Sequence, residues 1–200
     1  MKLFYTTTSP YARKARIAAI EKGLTAKIEL VLVTVRDPDS ELLAHSPVGT
    51  VPALMLDDGT VLSESAIVCD CFERLGEGET LLPASGAERW AVLRREGIAL
   101  GLLAGLVVWV REMRRPEAAR SASTLALETG RVARCLDALE MEAPTDGADI
   151  DLARITLGCA LGVLDFRLGF HDWRAGRPRL AAWYETFRAR PSMQATEPHE

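Results

Sequence analysis

The sequence predicts a small α/β domain followed by an all-helical domain. Three observations predict it. Over the first 76 residues, strand-length apolar runs and turn signals alternate with helical spacing. The stretch Gly76-Glu77-Gly78-Glu79-Thr80-Leu81-Leu82-Pro83 then breaks the composition. Beyond it apolar residues recur only at helical intervals. The expected organisation is an α/β unit over 1–76, a linker over 77–86 and a helical unit over 87–200.

The elements follow in order. Lys2 to Thr6 is a short apolar and aromatic strand. Thr7-Thr8-Ser9-Pro10 is a polar turn, and Pro10 suits a first helical position because its missing N–H costs nothing there. The helix Tyr11 to Lys22 follows, with Ala12, Ala15, Ile17, Ala18, Ala19 and Ile20 as its apolar surface and Gly23 as its stop. Ile28 to Val33 is the second strand, parallel to the first if the unit is a right-handed βαβ. Asp37-Pro38-Asp39-Ser40 caps a short helix near Glu41 to His45.

The most informative stretch runs from Ser46 to Ser65. Pro47 and Gly49 break any incoming helix, and Val51 is held extended by the proline after it. Ala53 to Leu56 is strand length, Asp58-Gly59 is a hairpin signal, and Thr60-Val61-Leu62 returns. Ser63-Glu64-Ser65 then stands where side chains cap a helix start, itself a ready site for a carboxylate. That helix runs to about Leu75, with Ile67, Val68, Cys71, Phe72 and Leu75 at helical spacing. This β-α-β-α-β-β-α order is that of a thioredoxin-like domain. The later helices are expected over Ala87–Arg115, Glu117–Glu142, Asp149–Gly169 and Pro178–Arg190. Ser85 is placed to cap the first, and Asp146 or Asp149 the third.

Bulk properties narrow the function. A net charge of −4, with basic residues dispersed apart from Arg111, Arg114 and Arg115, argues against nucleic acid or an anionic membrane as partner. The longest apolar stretch, Gly97 to Val110, is about 14 residues, short of the roughly 20 a spanning helix needs. No signal-peptide pattern follows Met1. Cys69, Cys71, Cys135 and Cys159 lack metal or redox spacing, so no metal is expected and reduced thiols in a cytoplasmic protein are. His45, His171 and His199 form no triad with Ser9 that spacing supports.

Val51-Pro52, the Asp-Gly hairpin, Glu64-Ser65 and the upstream βα unit with its Ser-Pro turn resemble the glutathione transferase superfamily, in that order along the chain. The helical second half fits the same layout, and the Thr-Ser-Pro-Tyr-Ala-Arg-Lys turn looks like that of short bacterial members. The resemblance implies glutathione as co-substrate, a small hydrophobic electrophile as second substrate, and a homodimer joined through the hairpin-to-helix region and the first two long helices. It implies a cis Val51-Pro52 bond, with the Val51 backbone pairing with the cysteine of glutathione. It also implies that Glu64 and Ser65 hold the γ-glutamyl end.

Thr50 departs from the lysine or glutamine of many relatives: it offers one hydrogen bond and no charge for the glycyl end. Arg36, Arg13 and Lys14 are substitutes or solvated surface charges.

The chemistry needs a thiolate, since only the thiolate is a good nucleophile. Ser9, before a helix start, can donate to sulfur and lower its pKa, or simply cap the helix. Thr7 and Thr8 are competing hydroxyls. Ser9-Pro10-Tyr11-Ala12 has no sulfur at either end, so dithiol exchange at this turn is unavailable and transfer is favoured over reduction. Tyr11, Trp109 and Met113 are the expected electrophile-pocket residues, with Arg111, Arg114 and Arg115 as further candidates, a cationic group that either attracts an acidic substrate or simply favours the helix C-terminus. The alternatives are a non-catalytic module of the same fold, or a glutathione-dependent peroxidase or dehalogenase.

Overall fold

A computed structural model of the chain describes residues 1–143 and 150–200. Its first half is a four-stranded sheet in the order β2-β1-β3-β4, formed by β1 (Lys2–Tyr5), β2 (Glu29–Leu32), β3 (Ala53–Met55) and β4 (Val61–Ser63). β1 lies parallel to β2, with Leu3 opposite Leu30, and antiparallel to β3, with Leu3 opposite Leu54. The crossover between the parallel strands is helix α1 (Pro10–Glu21). The β3–β4 hairpin closes as its Asp-Gly signal requires. Gly59 takes φ 86°, and the Thr60 N–H donates to Asp58 Oδ1 at 2.9 Å. This is the thioredoxin-like arrangement.

Helix α2 (Ser65–Leu75) buries Val68, Cys69 and Phe72. Ile67 and Leu75, which stand at the same helical spacing, are exposed, at 52% and 46%. Helical spacing fixes which residues share a face, but several overlapping stripes fit an apolar helix.

The second half is helical. α3 (Gly86–Met113) is flanked by α4 (Ala122–Met141) and α5 (Leu152–Arg167), followed by α6 (Pro178–Arg188) and the short α7 (Pro191–Gln194). α5 is buried along most of its length and packs against α1, so the two halves share one core.

Local chemistry moves several helix ends. α4 begins at Ala122, not near Glu117, because Arg120 is extended and the Ser121 hydroxyl caps the Thr124 N–H at 3.2 Å. α5 is capped by Asp151, whose Oδ1 accepts from the Arg154 N–H at 2.8 Å. Asp146 and Asp149, the expected caps, lie outside the described residues. Ser85 stands at the N-cap of α3, but its hydroxyl caps nothing.

Two residues expected either to substitute for the charge Thr50 lacks or to be solvated surface charges are buried. Arg13 and Lys14 lie on the inner face of α1, and Lys14 is 0% exposed. Arg13 Nη2 donates to the Met193 carbonyl at 2.9 Å, and Lys14 pairs with Glu96 of α3. Their charge is satisfied by partners that arrive from the helical half.

The segment between α2 and α3 is tightly held. Lys22 Nζ donates to the carbonyls of Gly78 and Glu79 at 3.2 and 2.9 Å. Leu81 is buried, and its carbonyl accepts from the Leu152 N–H at 2.9 Å. Gly78 lies so close to α1 that an added Cβ would sit 1.9 Å from the Glu21 carbonyl oxygen. Gly78→Ala is therefore expected to destabilise the chain by about 1–3 kcal/mol, the scale of overpacking against immovable backbone. Denaturant unfolding checks this, and an unchanged midpoint would refute it.

Candidate active site

A cavity of about 440 Å³ opens between the end of the sheet and the α3–α5 wall. Ser9, Tyr11, Thr50, Val51, Pro52, Glu64 and Ser65 all line it. They come from the β1–α1 turn, the loop before β3 and the start of α2. The thioredoxin-like topology brings these three chain segments to one edge of the sheet.

The polar groups on this side are left open. Ser9 has extended backbone (φ −76°, ψ 117°) at the N-cap of α1, and its Oγ accepts from the Ala12 N–H at 3.2 Å. Among the described residues no acceptor takes its hydroxyl proton. The Val51–Pro52 bond is cis. Val51 is 8% exposed, yet neither its N–H nor its C=O makes a backbone hydrogen bond among the described residues. Buried backbone groups are nearly always paired, so an open pair on a cavity wall points to a ligand.

The start of α2 is open in the same way. Glu64 holds φ 75°, in the left-handed region that side chains rarely adopt, and caps no N–H of the helix. Neither flanking serine caps the helix: Ser63 Oγ is 3.0 Å from Ser46 Oγ, and the Ser65 hydroxyl makes no bond to the protein among the described residues. The expected cap is thus absent, and a helix N-terminus with a serine hydroxyl and a carboxylate beside it faces the cavity. Thr50 is exposed at the rim, and Arg36 also lines the cavity.

The opposite wall corrects the expected electrophile pocket. Trp109 and Met113 do not line the cavity. Trp109 is buried against Phe170 and His171, with ring centroids 6.3 and 5.1 Å away. Met113 packs on the core one turn further along the same stripe. The wall is built by Val107, Val110 and Arg111 of α3, by Arg114 at its C-cap, and by Val163 and Phe166 of α5. The stripe 107, 110, 111, 114 has helical spacing and was legible as a face; nothing in the sequence said which face turned inward. Gly162 admits the Arg13 guanidinium, since a Cβ there would lie 2.5 Å from Arg13 Nη1.

Burial pushes the Tyr11 phenol up and Glu64 adds to it, with Arg111 and Lys14 opposing, so Tyr11 remains a protonated donor at neutral pH. Cys159 also borders the cavity, but burial pushes its thiol up to about 11, which makes it a poor nucleophile. Among the described residues no cluster of three or more histidines, cysteines or carboxylates is arranged to hold a metal, and no helix is long and apolar enough to cross a membrane.

A thioredoxin-like domain sharing a cavity with a helical domain is the architecture of the glutathione transferase superfamily. The family model for the glutathione S-transferase N-terminal domain matches residues 8–75, and that for the C-terminal domain matches residues 109–186. The GST-like protein YibF of Escherichia coli K12, itself uncharacterised, is 32% identical over 99% of this chain and 98% of its own. A glutathione transferase family member from Pseudomonas fluorescens Pf-5, solved with glutathione bound, is 34% identical, with a TM-score of 0.92 over 100% of this chain and 99% of that one. A second structure of that protein holds S-(propanoic acid)-glutathione. A glutathione S-transferase from Methylobacillus flagellatus, also with glutathione bound, is 33% identical, with a TM-score of 0.91 over 99% of both chains. The chain belongs to the glutathione S-transferase family.

Proposed function

We propose that the protein is a glutathione transferase that conjugates the glutathione thiolate to a small electrophile, with Ser9 activating the thiol. The observation that carries the reading is the set of unpaired polar groups on one wall of the cavity: the Ser9 hydroxyl proton, the Val51 backbone and the uncapped start of α2. Their order matches the chemistry of the tripeptide. The Val51 N–H and C=O suit the cysteinyl backbone. The Ser65 hydroxyl and the helix N–H groups suit the γ-glutamyl carboxylate, and Glu64 suits its ammonium. Arg36 offers the glycyl carboxylate the charge that Thr50 lacks. The relatives that hold glutathione support the same reading.

In the reaction the thiol releases its proton to solvent, and the Ser9 O–H donates to the resulting sulfur anion. The thiolate lone pair forms the new C–S bond. A halide then leaves with its bonding pair, or a conjugated double bond opens and its carbon takes a proton from solvent. The apolar residues Val107, Val110, Val163 and Phe166 exclude water from the electrophile.

The reading extends to a cytoplasmic homodimer. Four free cysteines support a reducing compartment. Exposed Ile67 on α2, Trp90 on α3 and Leu127 on α4 support a covered face on the helices expected at the dimer contact.

Calorimetry of glutathione binding tests the site. Ser65→Ala is expected to weaken binding by about 1–3 kcal/mol, the scale of a hydrogen bond to a charged group. Absence of binding at millimolar glutathione would remove the transferase claim and leave only the fold.

A further inference from the structure

We infer that the electrophile carries a carboxylate, received by Arg111 and Arg114 at the end of the α3–α5 wall. The inference deepens the glutathione reading above and rests on it. The wall is apolar over Val107, Val110, Val163 and Phe166, and becomes cationic where Arg111, Arg114 and Arg167 border the cavity. Arg111 and Arg114 are three apart on a helix, so their side chains neighbour each other on one face.

Neither Arg111 nor Arg114 forms a salt bridge among the described residues, although Glu200, paired with Arg167, lies within electrostatic reach of Arg114. Their neighbours do. Arg115 pairs with Glu112 at 3.2 Å, and Arg167 pairs with Glu200. Arg167 donates to the carboxylate of Glu200, so a guanidinium at this end of the cavity does engage a carboxylate. Among the lining residues the one acid is Glu64, at the start of α2 and across the cavity from α3. A positive helix end complements the α3 dipole, but that explains the charge and not its place on the cavity. Two guanidiniums without a salt bridge beside an apolar slot fit a planar carboxylate at the end of a short carbon chain. A neutral electrophile would engage neither guanidinium, and both would stay hydrated.

The test uses stable S-conjugates, so it does not depend on intrinsic electrophile reactivity. Binding of S-carboxyethyl-glutathione, its neutral isostere S-carbamoylethyl-glutathione and glutathione itself is measured by calorimetry on the full chain. The carboxylate conjugate is expected to bind about tenfold tighter than the amide at low salt, and the gap to narrow as ionic strength rises. In the Arg111→Gln/Arg114→Gln variant the gap is expected to close. Equal binding of the two conjugates to the unaltered protein, with glutathione also bound, overturns the acidic-electrophile assignment and leaves the glutathione reading standing. A gap that persists in the double variant overturns the role of these two arginines. Failure of all three compounds to bind removes the glutathione reading itself, and this inference with it.

Discussion

Replacing Glu96 by alanine is expected to cost about 3–5 kcal/mol of stability, because it leaves the Lys14 ammonium buried without a counter-charge. For a chain of this size that corresponds to a fall in melting temperature of roughly 6–20 °C. Lys14 reaches Glu96 across the junction of α1 and α3, in a core that also holds Cys69 and Cys159. Burial works against the ammonium. The Cys69 sulfur, where it ionises, and the Glu96 carboxylate with its hydrogen bond outweigh it, so Lys14 titrates above its ordinary value. Only one oxygen of Glu96 is used; Oε2 is buried without a hydrogen bond among the described residues. The pair is therefore incompletely satisfied, and replacing both members by apolar residues, Lys14→Met with Glu96→Leu, is expected to be near neutral or stabilising. Denaturant or thermal unfolding of the single and the double variant decides this. A single-variant cost below about 1 kcal/mol would mean that Lys14 finds water or sheds its proton, and would refute the account.

The same core sets the alkaline limit of stability. Burial pushes the Cys69 thiol up to about 12 and that of Cys159 to about 11, from an ordinary 9.0. Groups with raised folded values favour folding fully below the unfolded value and lose that contribution as pH climbs to the folded one. Lys14 acts in the same direction. Stability is therefore expected to fall above about pH 9 as thiols ionise in the unfolded chain.

Replacing Ser9 by alanine is expected to raise the pKa of bound glutathione by about 1–2 units, since a hydrogen bond to a charged group is worth about 1.5–3 kcal/mol. At neutral pH the thiolate fraction, and with it the conjugation rate, would fall roughly 10- to 100-fold. Thiolate absorbance against pH reads the first effect and steady-state kinetics the second. The alanine also removes the cap on the Ala12 N–H, worth about 0.5–2 kcal/mol of stability, so a structural loss must be separated from a chemical one. Ser9→Thr keeps both functions and is expected to restore most of the rate. Thr8 lines the cavity as well, while Thr7 does not. A thiolate pKa unmoved in Ser9→Ala but raised in Thr8→Val would transfer the role to Thr8.

Much of the fold was legible because it is written in local chemistry. Pro10 and Ser9 start α1, Gly59 turns the hairpin, and Val51-Pro52 with Glu64-Ser65 marks the cavity side of the sheet. These signals act over a few residues, through fixed φ, missing N–H groups and side-chain caps. The same local rules misplaced what depends on competition between neighbours. Ser63, Glu64 and Ser65 all had capping chemistry, and none caps α2; Ser121 and Asp151 start helices whose earlier residues looked equally suitable.

By itself the sequence determined the order of elements, the break between the α/β and helical halves, and the polar residues along the loops that meet at the cavity. Those are properties of contiguous stretches. Only the tertiary structure decided which faces turn inward. It buried Arg13 and Lys14, sent Trp109 and Met113 into the core, and put Val107 and Val110 on the cavity beside Arg111 and Arg114. The reason is that α3 is apolar around much of its circumference, so its periodicity admits several inward faces. The choice among them falls to the partners that pack on it, α1, α4 and α5, which lie far from it in the chain.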